Sequence, residues 1–418
     1  MKECERSLKK GCWKSSERAN RLPSVGWKIV NLSLDHSAVI MSSPVFKIPV
    51  ARPDLDGNEE RYVLEAVRSS WISSTGPFIT RFESEFASIC GTQSAIAVCN
   101  GTVALHLALL TLDVRPGDEV LVPSLTYIAT ANAVRYVGAE PVFVDVDPET
   151  WCIDPKKLED AITRRTKGII AVHLYGHPAD MDAINEVAAV HGLWVVEDAA
   201  EAPMASYKQR PTGSLARIAT FSFYGNKVIT CGEGGALTLS DPSLEMRART
   251  LRGQGVDPKR RYFFPVTGYN FRLTNVACAI LCAQLEQASE LLRMRRSVFH
   301  LYRELLKDVA GISFQPIASW AVQSPWLFCI CVDEKLFGMN SQVLAQRLAE
   351  SGIETRPFFY PLHRLPPFRA ASRERGEVLP VTDKLSQAGL NLPTFASMTS
   401  DQVRFVCQTI NDVQQDSV

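Results

Sequence analysis

The sequence predicts an α/β protein built on a mainly parallel sheet, followed by a smaller α+β part. Three observations carry this reading. Short apolar runs alternate with helix-length amphipathic segments from about residue 94 to residue 240. Polar turns, several with glycine, follow these runs, where a parallel sheet gathers its ligands. Near Ala277 the alternation gives way to one long helical run through Leu306, and shorter, more proline-rich elements follow Gly311.

After Pro53 a helix is expected, capped by Asp56, with Tyr62, Val63, Ala66 and Val67 on one apolar face. Ser94–Cys99 reads as a strand and Thr102–Leu112 as the helix behind it. The series continues with strand Glu119–Pro123 and helix Ala129–Val137, strand Pro141–Val146 and helix Pro155–Ile162, then strand Gly168–Leu174 and helix Met181–His191. Leu193–Glu197, Ile218–Phe223 and Ala236–Leu239 complete the strands. The expected division is an N-terminal extension over 1–45, a large domain over 46–285 and a small C-terminal domain over 286–418. The extension has eight basic against four acidic residues and no sustained helix or strand period, so poor order is expected there, and Met41 is an alternative start.

Composition narrows the function classes. The 418 residues carry 45 Lys+Arg against 45 Asp+Glu, without the basic excess of a dedicated nucleic-acid binder. With 46% apolar and 22% charged residues, the chain is neither collagenous, coiled-coil nor wholly disordered. Eleven cysteines are scattered singly with no CxxC pair and no zinc-ligand spacing, which reads as reduced thiols in a cytoplasmic protein without a metal. The most apolar stretch, Ala95–Val114, is interrupted by Asn100, His106 and Asp113, so no membrane span is expected. The first twenty residues lack the apolar core of a secretory signal.

Three strand ends carry chemistry. Asn100-Gly101-Thr102 opens a helix, where free N–H groups and a hydroxyl suit a phosphate. Asp198 follows the run Leu193–Glu197. Lys227 ends Thr220-Phe-Ser-Phe-Tyr-Gly-Asn-Lys227, just before the glycine-rich Gly232–Gly235, and reads as a Schiff-base amine of lowered pKa. Each also has a plain structural reading: a helix cap, a solvated turn, a surface lysine. Together, a phosphate cradle, a carboxylate and an amine meet the needs of pyridoxal phosphate.

The runs Asn100–His106, Val196–Ala202, Phe221–Val228 and Gly268–Thr274, in this order, resemble the DegT/StrS-type sugar aminotransferases. The resemblance extends from about Ile48 to the C-terminus. It implies a fold-type-I pyridoxal-phosphate transferase acting on nucleotide sugars. By the same resemblance, Lys227 is the covalent anchor, Asp198 meets the pyridine nitrogen and Glu201 lies beside the cofactor. Gly101, Thr102 and Ser222 hold its phosphate, Tyr127 stacks on its ring, and Asn270 reaches the phosphate of a neighbouring subunit, which requires a homodimer. His177, Arg272 and His363 are implied substrate contacts, with structural roles as the alternative for each. Cys231 stands where relatives often have Thr.

Ser222–Lys227, Gly253-Gln-Gly255 and Glu354–His363 further resemble enzymes that aminate GDP-4-keto-6-deoxymannose, with L-glutamate as donor and a surface polysaccharide such as O-antigen as destination. Ping-pong transamination is the implied course. A dTDP-linked 3- or 4-keto sugar is the alternative substrate. Related dehydratases carry His where this chain has Lys227, and an inactive binding module of the same fold is expected to lack Lys227 or Asp198.

Overall fold

The computed structural model describes residues 46–416; the extension expected over residues 1–45, with its Met41, lies outside them. In chain order the strands of the first part are β1 (Ser94–Val98), β2 (Glu119–Pro123), β3 (Glu140–Val144), β4 (Thr166–Val172), β5 (Trp194–Asp198), a short hairpin of β6 (Ser206–Tyr207) and β7 (Arg210–Pro211), β8 (Ile218–Ser222) and β9 (Gly235–Leu239). All but the hairpin join one seven-stranded sheet in the order β1-β9-β8-β5-β4-β2-β3. Every β2 to β5 strand is buried along nearly its whole length, as expected of a parallel sheet covered on both faces.

The pairs β2–β3, β2–β4, β4–β5 and β5–β8 are parallel, but β9 runs antiparallel to both β1 and β8. The connection from Ser222 to Gly235 contains no helix to carry the chain back across the sheet, so β9 returns beside β8 in the opposite sense. That helix-free connection holds Lys227.

Helix Gly101–Thr111 is apolar on nearly all sides because it lies between the sheet and helices Ala129–Tyr136 and Pro242–Arg252. Asn100 caps it, its Oδ1 accepting the Val103 N–H at 2.9 Å. The expected cap at Asp56 is not formed. Helix Glu59–Arg68 starts after Asn58, and the buried Glu59 carboxylate accepts from Gly57 N–H at 2.8 Å and Gln284 Nε2 at 2.7 Å. Helix Pro77–Cys90 has no counterpart among the expected elements. Pro77 at its first turn and Phe78, Phe82 and Phe86 at four-residue spacing give it one buried aromatic face. Phe86 meets Phe221 edge-on at 4.9 Å and Phe223 at 5.3 Å, which seats the end of β8 and the start of the lysine connection.

The 32-residue helix Asn275–Leu306 runs through the expected boundary at residue 286. Beyond it come β10 (Ile312–Phe314), β11 (Ala321–Val322), β12 (Phe328–Val332), β13 (Arg356–Pro357) and β14 (Gly389–Leu392). Four of these form an antiparallel sheet in the order β10-β12-β14-β13, and β11 extends the β6–β7 hairpin. No helix among the described residues is long and apolar enough to cross a membrane.

Phe86→Ala is expected to lower unfolding stability by about 3–5 kcal/mol, since a fully buried ring leaves a cavity among aromatic neighbours that cannot collapse. Urea denaturation followed by circular dichroism checks this; a loss below about 1 kcal/mol would contradict the seating role.

Candidate active site

A cavity of about 610 Å³ opens at the carboxyl ends of the central strands. Gly101, Thr102, Asp198, Ser222 and Lys227 line it, as do Tyr127 and Glu201. Residues separated by more than a hundred positions in sequence thus meet in one space.

Asp198 ends β5 and is buried. It accepts from Thr130 Oγ1 at 2.8 Å and from the Ala200 N–H at 3.3 Å. Burial raises its pKa, against the pull of those donors and of Lys227. Glu201 lies one turn on, also buried, and accepts the Tyr175 N–H at 2.7 Å. Burial pushes it up to about 7, with Lys227 opposing and Asp198 adding to the shift. The Lys227 amine is lowered by burial and raised by Glu201 and Asp198. The amine and the two acids therefore favour one another's charged forms, while burial, the largest cause for each, favours the neutral ones.

The opposite wall is an anion cradle. With Val103 N–H held by Asn100, the N–H groups of Gly101 and Thr102 have no intrahelical acceptor at the positive end of an 11-residue helix. A Cβ on Gly101 would lie 2.7 Å from Ser222 Cβ, so only glycine lets the helix start close on the Ser222 hydroxyl. A Cβ on Gly235 would come within 2.5 Å of Asn100 backbone atoms, so β9 also needs glycine beside the cradle. Tyr127, 58% exposed, stands at the rim with Phe359 at 5.9 Å.

The other expected residues lie elsewhere. His177 is fully buried; its Nδ1 lies 2.7 Å from Pro178 O and its Nε2 accepts the Ala318 N–H at 3.1 Å. Both nitrogens are committed, and burial lowers its pKa to about 4. His363 is buried with Nδ1 2.8 Å from Ser124 Oγ, while that oxygen accepts the His363 N–H at 3.1 Å. It ties the C-terminal part to the loop that leads to Tyr127, instead of lining the cavity. Asn270 is exposed and accepts from Arg272 Nε at 3.0 Å, and neither lines the cavity of its own chain. Cys231 donates to Glu233 O through its thiol, and burial raises its pKa.

The cavity also holds Thr130, Tyr175, Trp326, Arg356 and Asn391, which motif reading missed. Thr130 was findable, since it follows the end of β2. The signals for Tyr175 and Trp326 are absent from sequence: a left-handed Tyr175 (φ 52°) and a tryptophan placed by the C-terminal part.

The donor set fits pyridoxal phosphate: an anion cradle for its phosphate, a buried acid for its ring nitrogen and a low-pKa amine for its aldehyde. That combination marks a pyridoxal-phosphate-dependent transferase. The model of the DegT/DnrJ/EryC1/StrS aminotransferase family matches residues 53–411, and the chain belongs to that family. It is 48% identical to the GDP-perosamine synthase of Caulobacter vibrioides over 368 residues, covering 88% of this chain and 98% of that one. The GDP-perosamine synthase of Escherichia coli O157:H7 is 42% identical over 369 residues, covering 88% and 99%. Spr1654 of Streptococcus pneumoniae, solved in its PLP form, superposes with a TM-score of 0.82 at 27% identity, covering 89% and 99%. The protein is thus a sugar aminotransferase that uses pyridoxal phosphate.

The raised Glu201 gives a signed pH prediction. Its folded pKa of about 7 lies above the ordinary 4.5, so the folded state holds a proton that the unfolded chain releases. This contribution is full below about pH 4.5 and fades as pH rises through about 7. In protein stripped of cofactor, Glu201→Gln is expected to gain thermal stability over wild type across that window. Melting curves at several pH values check it; parallel pH profiles for the two proteins would contradict it.

Proposed function

We propose that the protein moves the amino group of L-glutamate to C4 of GDP-4-keto-6-deoxymannose, giving GDP-perosamine for a surface polysaccharide. The grouping of Lys227, Asp198 and Glu201 in one cavity carries the transamination reading. For the sugar, support comes from relatives named for GDP-perosamine at 48% and 42% identity over nearly their full length.

Gly101, Thr102 and Ser222 would hold the phosphate, Asp198 the ring nitrogen, and Lys227 the aldehyde carbon. When bound, the protonated pyridine ring supplies an electron sink for breaking the donor's α-C–H bond. Lys227 Nζ, once free, would take up the α-proton and pass it to the carbon that had held the aldehyde. In the second half-reaction it would take a proton back from that carbon and deliver it to the sugar carbon that receives nitrogen. Burial of Lys227 favours the neutral, basic form that this task starts from. Asp198, with Thr130 behind it, keeps a fixed orientation through both halves.

The reading also includes a cytoplasmic homodimer. Asn270 and Arg272 lie outside their own cavity, and the nearby Tyr262, Phe263 and Phe264 are exposed large aromatics, as suits a segment that completes a partner's site.

Amination of GDP-4-keto-6-deoxymannose by L-glutamate is expected to exceed that of dTDP-4-keto and dTDP-3-keto sugars by at least about tenfold in kcat/KM, since the wrong nucleotide leaves polar groups of the site unpaired. Parallel assays with the three substrates check this. Faster turnover of either dTDP sugar would overturn the substrate assignment while leaving the aminotransferase chemistry intact.

A further inference from the structure

Trp326 makes two separate contacts with the lysine connection. Lys227 Nζ lies 3.8 Å from the centre of its ring. Its indole N–H donates to the Asn226 carbonyl oxygen at 2.9 Å, one residue before the lysine. The ring is 4% exposed and stands just before β12 in the C-terminal part. It also stacks on Tyr175, with centroids 6.2 Å apart and planes 22° from parallel. The N–H of that same Tyr175 holds Glu201. One side chain therefore touches the amine, the backbone that carries the amine, and the residue that orients the neighbouring acid.

We propose that Trp326 is a positioning residue for Lys227: its N–H fixes the connection at Asn226, and its ring face receives the free, protonated amine between proton uptake and proton delivery. The physical reason lies in what a π face can do. It attracts an ammonium group strongly where water is scarce, yet has no lone pair to take the proton away. Glu201 and Asp198 also face Lys227, and Glu233 and Arg356 line the same cavity. A carboxylate as sole partner would compete for the proton that the lysine must deliver. Against Trp326 the amine stays charged, near the reacting atoms, and free to donate. The proposal rests on the aminotransferase activity and is independent of which sugar is used.

Two variants test it, Trp326→Phe and Trp326→Leu. The pKa of Lys227 is measured in the full chain stripped of cofactor, from the pH dependence of its modification by an amine-selective reagent. The donor half-reaction is measured in the holoenzyme as single-turnover loss of the visible absorption band on adding L-glutamate. Trp326→Leu is expected to weaken proton binding at Lys227 about thirtyfold, the equivalent of one desolvated cation–π contact, and to slow the half-reaction at saturating glutamate about tenfold or more. Trp326→Phe keeps a ring face but no N–H, so it is expected to retain most of the proton affinity while still slowing the half-reaction.

A folded Trp326→Leu protein with wild-type lysine titration and a rate within about twofold would overturn the proposal. Should the leucine variant not fold, Trp326→Phe decides alone: a wild-type rate overturns the tether, and a slowed rate with retained proton affinity supports it. If both variants lose proton affinity and rate equally, the ring is merely structural and the proposal falls. Should wild type fail to react with glutamate, the donor assignment fails, and the lysine titration still decides the role of Trp326.

Discussion

Desolvation of three ionisable groups in one cavity is the constraint on which the site depends. Asp198, Glu201 and Lys227 are each shifted towards the neutral form by burial; Lys227 draws both acids back and they draw it back, while Asp198 adds to the shift of Glu201. An isolated buried carboxylate or ammonium would be far less tolerable. The attraction between the amine and the two acids offsets part of that cost.

The scaffold holds these groups from several directions. Strand alternation sends neighbouring acids to opposite faces. Asp198 turns to the cavity. Glu197 turns away and binds the Gly213, Leu215 and Ala216 N–H groups, while His173 lies 3.0 Å from its Oε2. The His173 Nδ1 accepts the Ala179 N–H, so its Nε2 carries the proton towards Glu197. The fully buried pair fixes the turn after β4, which presents Tyr175 to Glu201. On the other side, the phenylalanines of helix Pro77–Cys90 seat the end of β8, and Trp326 grips the connection beyond it. The lysine is thus held from both parts of the chain.

Much of this was legible in the residues. The strands and the helices behind them fall within a residue or two of their expected bounds, because fully buried parallel strands leave clear apolar runs. Asp198, Lys227 and Gly101-Thr102 were visible as polar residues at strand ends. The direction of β9 was not, because an apolar run carries no sign of its sense. The helix Pro77–Cys90 was hidden by its mixed sequence, where polar residues separate the phenylalanines. His177 and His363 belong to segments that resemble substrate loops, yet their rings face backbone and Ser124 instead. Trp326 and Arg356 enter from the C-terminal part, and no local pattern tells which of its side chains will point across to another sheet.

The central claim is that Lys227 is the amine that this cavity sets apart. Loading the protein with pyridoxal phosphate, reducing it with borohydride and mapping the modified peptide by mass spectrometry tests it directly. The account predicts one stable adduct, on Lys227, and none in Lys227→Ala. An adduct spread over surface lysines, or one that persists in Lys227→Ala, would contradict it.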